Sequence, residues 1–64
     1  MFEITTFNPW GREKIATDFK TAETALLWLG SHFGGIIHVE EDEDNADHWD
    51  AVTKNGNVYS IEPM

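Results

Sequence analysis

Apolar and polar positions change their spacing along the chain, and each change predicts an element. Residues 2–7 read Phe-Glu-Ile-Thr-Thr-Phe, rich in the β-branched and aromatic types that suit a pleated, half-buried surface. A strand is expected there. Asn8-Pro9-Trp10-Gly11 interrupts it, because Asn-Pro and Gly favour turns. Residues 14–19 suggest a second short strand with Ile15 as its only aliphatic anchor. The spacing then switches: Phe19, Ala22, Leu26, Leu29 and Phe33 recur at steps of three and four, which predicts one buried helical stripe over 21–33. Thr21 suits the N-cap, where its hydroxyl accepts an unpaired backbone N–H. Gly34-Gly35 suits the stop, where a left-handed position favours glycine.

A strand is expected over 35–41, with Ile36, Ile37 and Val39 at its centre. Residues 48–53 and 57–62 predict a β-hairpin around Lys54-Asn55-Gly56, since Asn-Gly between alternating runs is a strong hairpin signal. A two-residue loop would pair Thr53 with Val58 and mix polar with apolar residues on both faces. A three-residue loop, with Gly56 left-handed, pairs Trp49 with Ile61 and Ala51 with Tyr59. The second register leaves one clean apolar face and is preferred. Trp49, Tyr59 and Ile61 should then be buried with Leu26, Leu29 and Phe33. The expected fold class is α+β, a single helix on a small antiparallel sheet in β(β)αβββ order, forming one compact domain over 1–64.

Composition sharpens this picture. At 64 residues such a domain buries only about 60% of its unfolded surface and is marginal without staples. It has no cysteine, so packing alone must hold it. Three Trp, four Phe and one Tyr supply the bulk, each large ring burying roughly 150–250 Å². The longest apolar run, Ala25–Leu29, falls far short of the ~20 residues that span a bilayer. No basic leader followed by an apolar stretch suggests secretion, so a cytoplasmic, membrane-free protein is expected.

Charge is where the sequence departs from a plain small domain. Residues 40–50 carry seven carboxylates, Glu40, Glu41, Asp42, Glu43, Asp44, Asp47 and Asp50, and no Lys or Arg. The rest of the chain holds five acids against four bases, so nearly all of the formal net charge of −8 sits in this segment. Charge this concentrated repels itself. With Ile37 and Val39 facing the helix, His38, Glu40, His48 and Asp50 should face outward beside Glu62. Alternate strand positions lie about 6.6–6.8 Å apart, so the carboxylates would form spaced rows, at coarse grain like a nucleic-acid backbone. Such a surface fits a groove in which Lys and Arg hold phosphates. The plainer alternative is a solvated loop.

Other chemistry is weakly signalled. His38-x-Glu40 and His48-x-Asp50 place imidazole beside carboxylate and could suit a divalent metal. Asp42-x-Asp44 starts like a calcium loop, but Asp47 occupies the place that requires glycine. Ser31 and Ser60 sit in no nucleophile motif, and Gly34-Gly35 ends a helix where a phosphate loop would open one. No catalytic residue and no cofactor are expected. Leu27 and Trp28 flank the buried stripe; they either close the edge of the core or form a patch for homodimerisation.

In size, lack of cysteine, the Thr21–Phe33 helix, the Asp50–Glu62 hairpin and the acid cluster, the chain resembles small phage-encoded anti-CRISPR proteins of the type I class. The resemblance implies a non-catalytic inhibitor that occupies the DNA-reading surface of an effector complex in the host cytoplasm. It assigns no individual residue. The partner expected from the charge is a basic nucleic-acid-binding protein, with the chain acting as a monomer that does not bind nucleic acid itself. A homodimer built on Trp28 and a metal-binding module are the alternatives.

Overall fold

In the computed structural model, which describes residues 1–64, the chain forms β1 (Phe2–Asn8), β2 (Gly11–Phe19), α1 (Ala22–His32), β3 (Ile36–Glu41), β4 (Trp49–Thr53) and β5 (Val58–Pro63). The strands make one sheet in the order β2-β1-β5-β4-β3, with every neighbouring pair antiparallel. The helix packs across one face. This is the α+β arrangement that the periodicities predict, with the first and last strands side by side near the middle. Met64 N–H donates to the Met1 carbonyl and closes that central pair at 3.0 Å. No helix is long and apolar enough to cross a membrane.

Local chemistry accounts for the boundaries. The Thr21 hydroxyl accepts from the Thr24 N–H at 3.1 Å, capping α1. At the other end Gly34 takes φ +80° and the Gly35 N–H reaches back to the Gly30 carbonyl at 2.8 Å. That bond is the outer one of a Schellman-type stop. The hairpin adopts the three-residue loop: Trp49 pairs with Ile61, Ala51 with Tyr59, and Gly56 stands at φ +88°. β2 begins at Gly11, three residues ahead of the expected Lys14, because it pairs with β1 right up to the Asn8–Gly11 turn. Its ladder with β1 slips twice, and Asp18 takes φ 70°, a left-handed conformation that Asp tolerates better than most residues.

Ile4, Ala25, Leu29, Ala51, Tyr59 and Ile61 form the buried core. Ala25, small and fully buried, is where the helix lies on the sheet. Leu26, Phe33 and Trp49 were expected inside with Tyr59, Ile61 and Leu29, but they are only half-buried and form its margin. A single helix is too narrow to cover the full width of five strands. Aromatic contacts seal that margin: Phe33 stacks on Tyr59 at 5.0 Å, and Phe2 meets Trp49 edge-on at 6.0 Å. Thr53 is fully buried, its hydroxyl satisfied by the Asn55 side chain in the hairpin loop. No buried side-chain N or O lacks a partner, as a stable interior requires.

β3 departs from the expected facing. Its ladder with β4 slips between Ile36 and His38, so Ile36 pairs with Thr53 while Val39 pairs with Ala51. A bulge leaves its extra residue unpaired, here Ile37, which is 64% exposed and not turned to the core. Ile36 takes its place against the core. Val39 shares the side of Ala51 as expected, yet remains exposed because β3 is the last strand of the sheet.

Candidate functional site

The acid-rich segment is the connection between β3 and β4, and its backbone is tied to itself. Asp42 N–H donates to the His48 carbonyl at 2.9 Å, extending the ladder one pair beyond the strands. Two turns follow head to tail: Asn45 N–H to the Asp42 carbonyl at 3.3 Å, and His48 N–H to the Asn45 carbonyl at 3.1 Å. The Asp42 carboxylate also accepts from the Asp44 N–H at 2.9 Å. Asp and Asn fit here because their short side chains mimic a backbone turn.

The seven carboxylates do not share one face of the sheet. Glu40 stands opposite Asp50 on the face away from the helix, while Glu41 stands opposite Trp49 on the helix side. Glu43, Asp44 and Asp47 project from the turns. The acids therefore wrap around one corner of the sheet, which corrects the expected rows on one outward face. Side-chain alternation in a strand makes this unavoidable: consecutive Glu40 and Glu41 must point to opposite sides. Even so, Glu40, Glu41, Asp42, Glu43, Asp44 and Asp50 line one shallow depression of about 390 Å³. Asp47 lies outside it, in a separate recess with Asn45, His48 and Glu62.

Two of the four bases are committed elsewhere. Arg12 pairs with Glu62 and Lys14 with Glu3, the latter at 3.4 Å. None of the seven acids lies within ion-pair distance of a Lys or Arg; Glu40 has only His38, 3.7 Å away, and both are exposed. Asp50 accepts a hydrogen bond from the Ser60 hydroxyl at 3.1 Å. At physiological salt, charges closer than about 8 Å remain coupled, and no Lys or Arg ion pair offsets those of this corner. Glu62, expected to extend the acidic row, is instead neutralised by Arg12 and lies 3.4 Å from His48 Nε2.

The same geometry bears on the metal-binding alternative. His48 turns to Glu62 and not to Asp50. No three His, Asp or Glu side chains converge in a way that could hold a metal ion.

Apolar exposure occurs in two further places. Phe7 and Trp10, 73% and 81% exposed, project at the β1–β2 turn, beside Val58 at the far end of the sheet from the acids. The Asn-Pro-Trp-Gly spacing was the available signal, since a tight turn leaves its bulky residue no interior to enter. On the helix, Leu27 is 74% exposed. Trp28 is engaged: its ring meets Phe19 and Phe33 edge-on and stacks on His32 at 3.9 Å. It closes the core margin against β2, leaving Leu27 as the open flank. No protein-family model matches the chain, and no curated protein or solved structure matches it either.

Proposed function

We propose that this chain is a non-catalytic inhibitor that presents its acidic β3–β4 corner to a basic, nucleic-acid-handling surface of a protein partner. It keeps nucleic acid off that surface. A CRISPR effector complex in the host cytoplasm is the partner that its general resemblance suggests. One observation carries the reading: six carboxylates, from a self-bonded turn and the strand ends beside it, line a single depression, and none is paired with Lys or Arg.

Lys and Arg that hold phosphates release condensed counterions as they bind, which makes such binding strong and salt-dependent. Carboxylates spaced along a corner draw on similar electrostatics. An ordered turn loses less conformational freedom on docking than a floppy acidic tail would. The chain acts as a monomer, needs no cofactor, and does not bind nucleic acid, because like charges repel.

The test is target-duplex binding by a purified type I effector complex, with the protein added in increasing amounts. Wild type should block duplex binding, and Glu43→Lys with Asp44→Lys should relieve the block. Asp42 is left alone because its carboxylate holds the turn. Equal inhibition by both proteins would reduce the acidic corner to a solvated loop. No inhibition by either would remove the effector complex as the partner.

The exposure of Leu27 favours a second reading, homodimerisation through the helix flank. Charge opposes it, since each copy brings −8. Sedimentation at low and high salt separates the two, because apolar dimerisation does not weaken as salt rises.

A further inference from the structure

We propose that the free edge of β3 receives an extended, basic segment of the protein partner as a sixth strand. This inference rests on the proposed basic partner and specifies how that partner is held. β3 ends the sheet. Hydrogen bonding fixes which of its backbone groups are unused. Thr53 N–H bonds to the Asn57 carbonyl, so odd-numbered β4 residues face β5 and even-numbered ones face β3. Asp42 N–H to the His48 carbonyl and Lys54 N–H to the Gly35 carbonyl agree with that parity. His38 and Glu40 therefore bond inward to β4, whereas Val39 and Glu41 direct their N–H and C=O groups away from the sheet.

An unpaired edge is a template for another strand, and proteins usually blunt it with bulges, proline or charged side chains. The opposite edge, β2, is blunted: it carries two ladder slips, and its Arg12 and Lys14 are paired inward across the sheet. β3 has one slip, at its start, and runs regularly from His38 to Glu41. Beyond that bulge its guard is negative charge, which repels a second copy of this chain and attracts a basic segment.

Side-chain surroundings define the segment further. On the helix side, an apolar depression of about 600 Å³ runs between α1 and the start of β3, lined by Glu23, Leu26, Leu27, Gly30, Ser31 and Ile36. Exposed Val39 stands on that same side, with Glu41 after it at the acidic end of the strand. On the other side lie Glu40 and Asp50. Because a strand alternates its side chains, the incoming segment alternates too, with apolar residues toward Leu27 and Val39 and Lys or Arg toward Glu40 and Asp50. Backbone hydrogen bonds give such strand addition its affinity, and the side-chain alternation gives it specificity.

The test uses a capped peptide, Lys-Val-Lys-Val-Lys-Val-Lys, and a counterpart N-methylated along its pairing edge, which keeps the charge but loses the N–H donors and holds the strands apart by its methyl groups. Amide exchange is followed residue by residue by NMR. The unmodified peptide should slow exchange at Val39 and Glu41 by about tenfold or more and leave His38 and Glu40 unchanged. N-methylation should abolish the effect. Val39→Pro, which removes an outward N–H that no strand of the fold uses, and Leu27→Asp, at an exposed position, should each weaken binding about tenfold. Were both peptides to shift only residues 42–47, strand addition would be wrong while the charge-driven reading survived. Absence of binding at low salt would remove both. Protection of Val39 and Glu41 without peptide, with a dimeric mass, would make the occupant a second copy and overturn the proposal.

Discussion

Glu3 and Glu62 stand directly opposite each other across β1 and β5, and β2 supplies a base to each: Lys14 to Glu3 and Arg12, reaching over β1, to Glu62. Like charges paired across strands destabilise a sheet, and both carboxylates are largely buried, with side chains 14% and 15% exposed. The two bases make that central pair tolerable. Engaged with these two acids, neither base forms an ion pair with any of the seven acids of residues 40–50.

Arg12→Ala should therefore lower stability by roughly 1 kcal/mol, at the upper end for partly exposed ion pairs. The double variant Arg12→Ala with Glu62→Gln should recover part of that loss, since the uncompensated carboxylate is gone. Urea denaturation of the four proteins in the cycle measures it. Equal losses in the single and double variants would mean that Arg12 acts through its packing on Phe7, which lies 5.8 Å from the guanidinium.

Salt should stabilise the protein. The seven acids of residues 40–50 repel one another without a Lys or Arg partner, and monovalent salt screens that repulsion. Melting temperature should rise between low and physiological NaCl. Glu43→Gln should produce a smaller rise of the same sign at low salt, because it removes a charge that makes no hydrogen bond. A fall in both would show that the corner is held by favourable partners.

Leu29→Ala should be severe, roughly 2–5 kcal/mol for a fully buried leucine, and in so small a domain it can abolish folding. Leu27→Ala, two residues away and exposed, should change stability by no more than about 0.5 kcal/mol. Thermal melts of the pair check whether the helix lies on the sheet with the face described.

Gly56→Ala should lower stability by roughly 1–2 kcal/mol, the expense of a left-handed backbone for an L-residue. No atom lies within 4 Å of where the new Cβ would stand, so the loss is conformational and not steric. Gly56→Asn should recover part of it, as Asn tolerates that region. Equilibrium unfolding of the two variants is the measurement.

Much of this protein was legible in the chain itself, where the determinants are local. The step-three-and-four recurrence from Phe19 to Phe33, the Thr21 cap, the glycine stop and the Asn55-Gly56 loop each act over a few residues, so helix and hairpin register follow without knowledge of the rest. The seven carboxylates were equally plain as a cluster. Tertiary structure decided what depends on distant partners. Whether β1 lies beside β5 or elsewhere is a choice among pairings with similar local chemistry, settled by burying Ile4, Ala51, Tyr59 and Ile61 under one helix. That order makes β3 an edge, and the bulge at Ile37 exposes a residue that alternation alone would have turned inward. It also brings Arg12 and Lys14 to Glu62 and Glu3, so that these bases pair with acids outside the 40–50 segment. The composition set how much negative charge the protein carries; the strand order decided where it goes unanswered, because only the assembled sheet determines which charges meet.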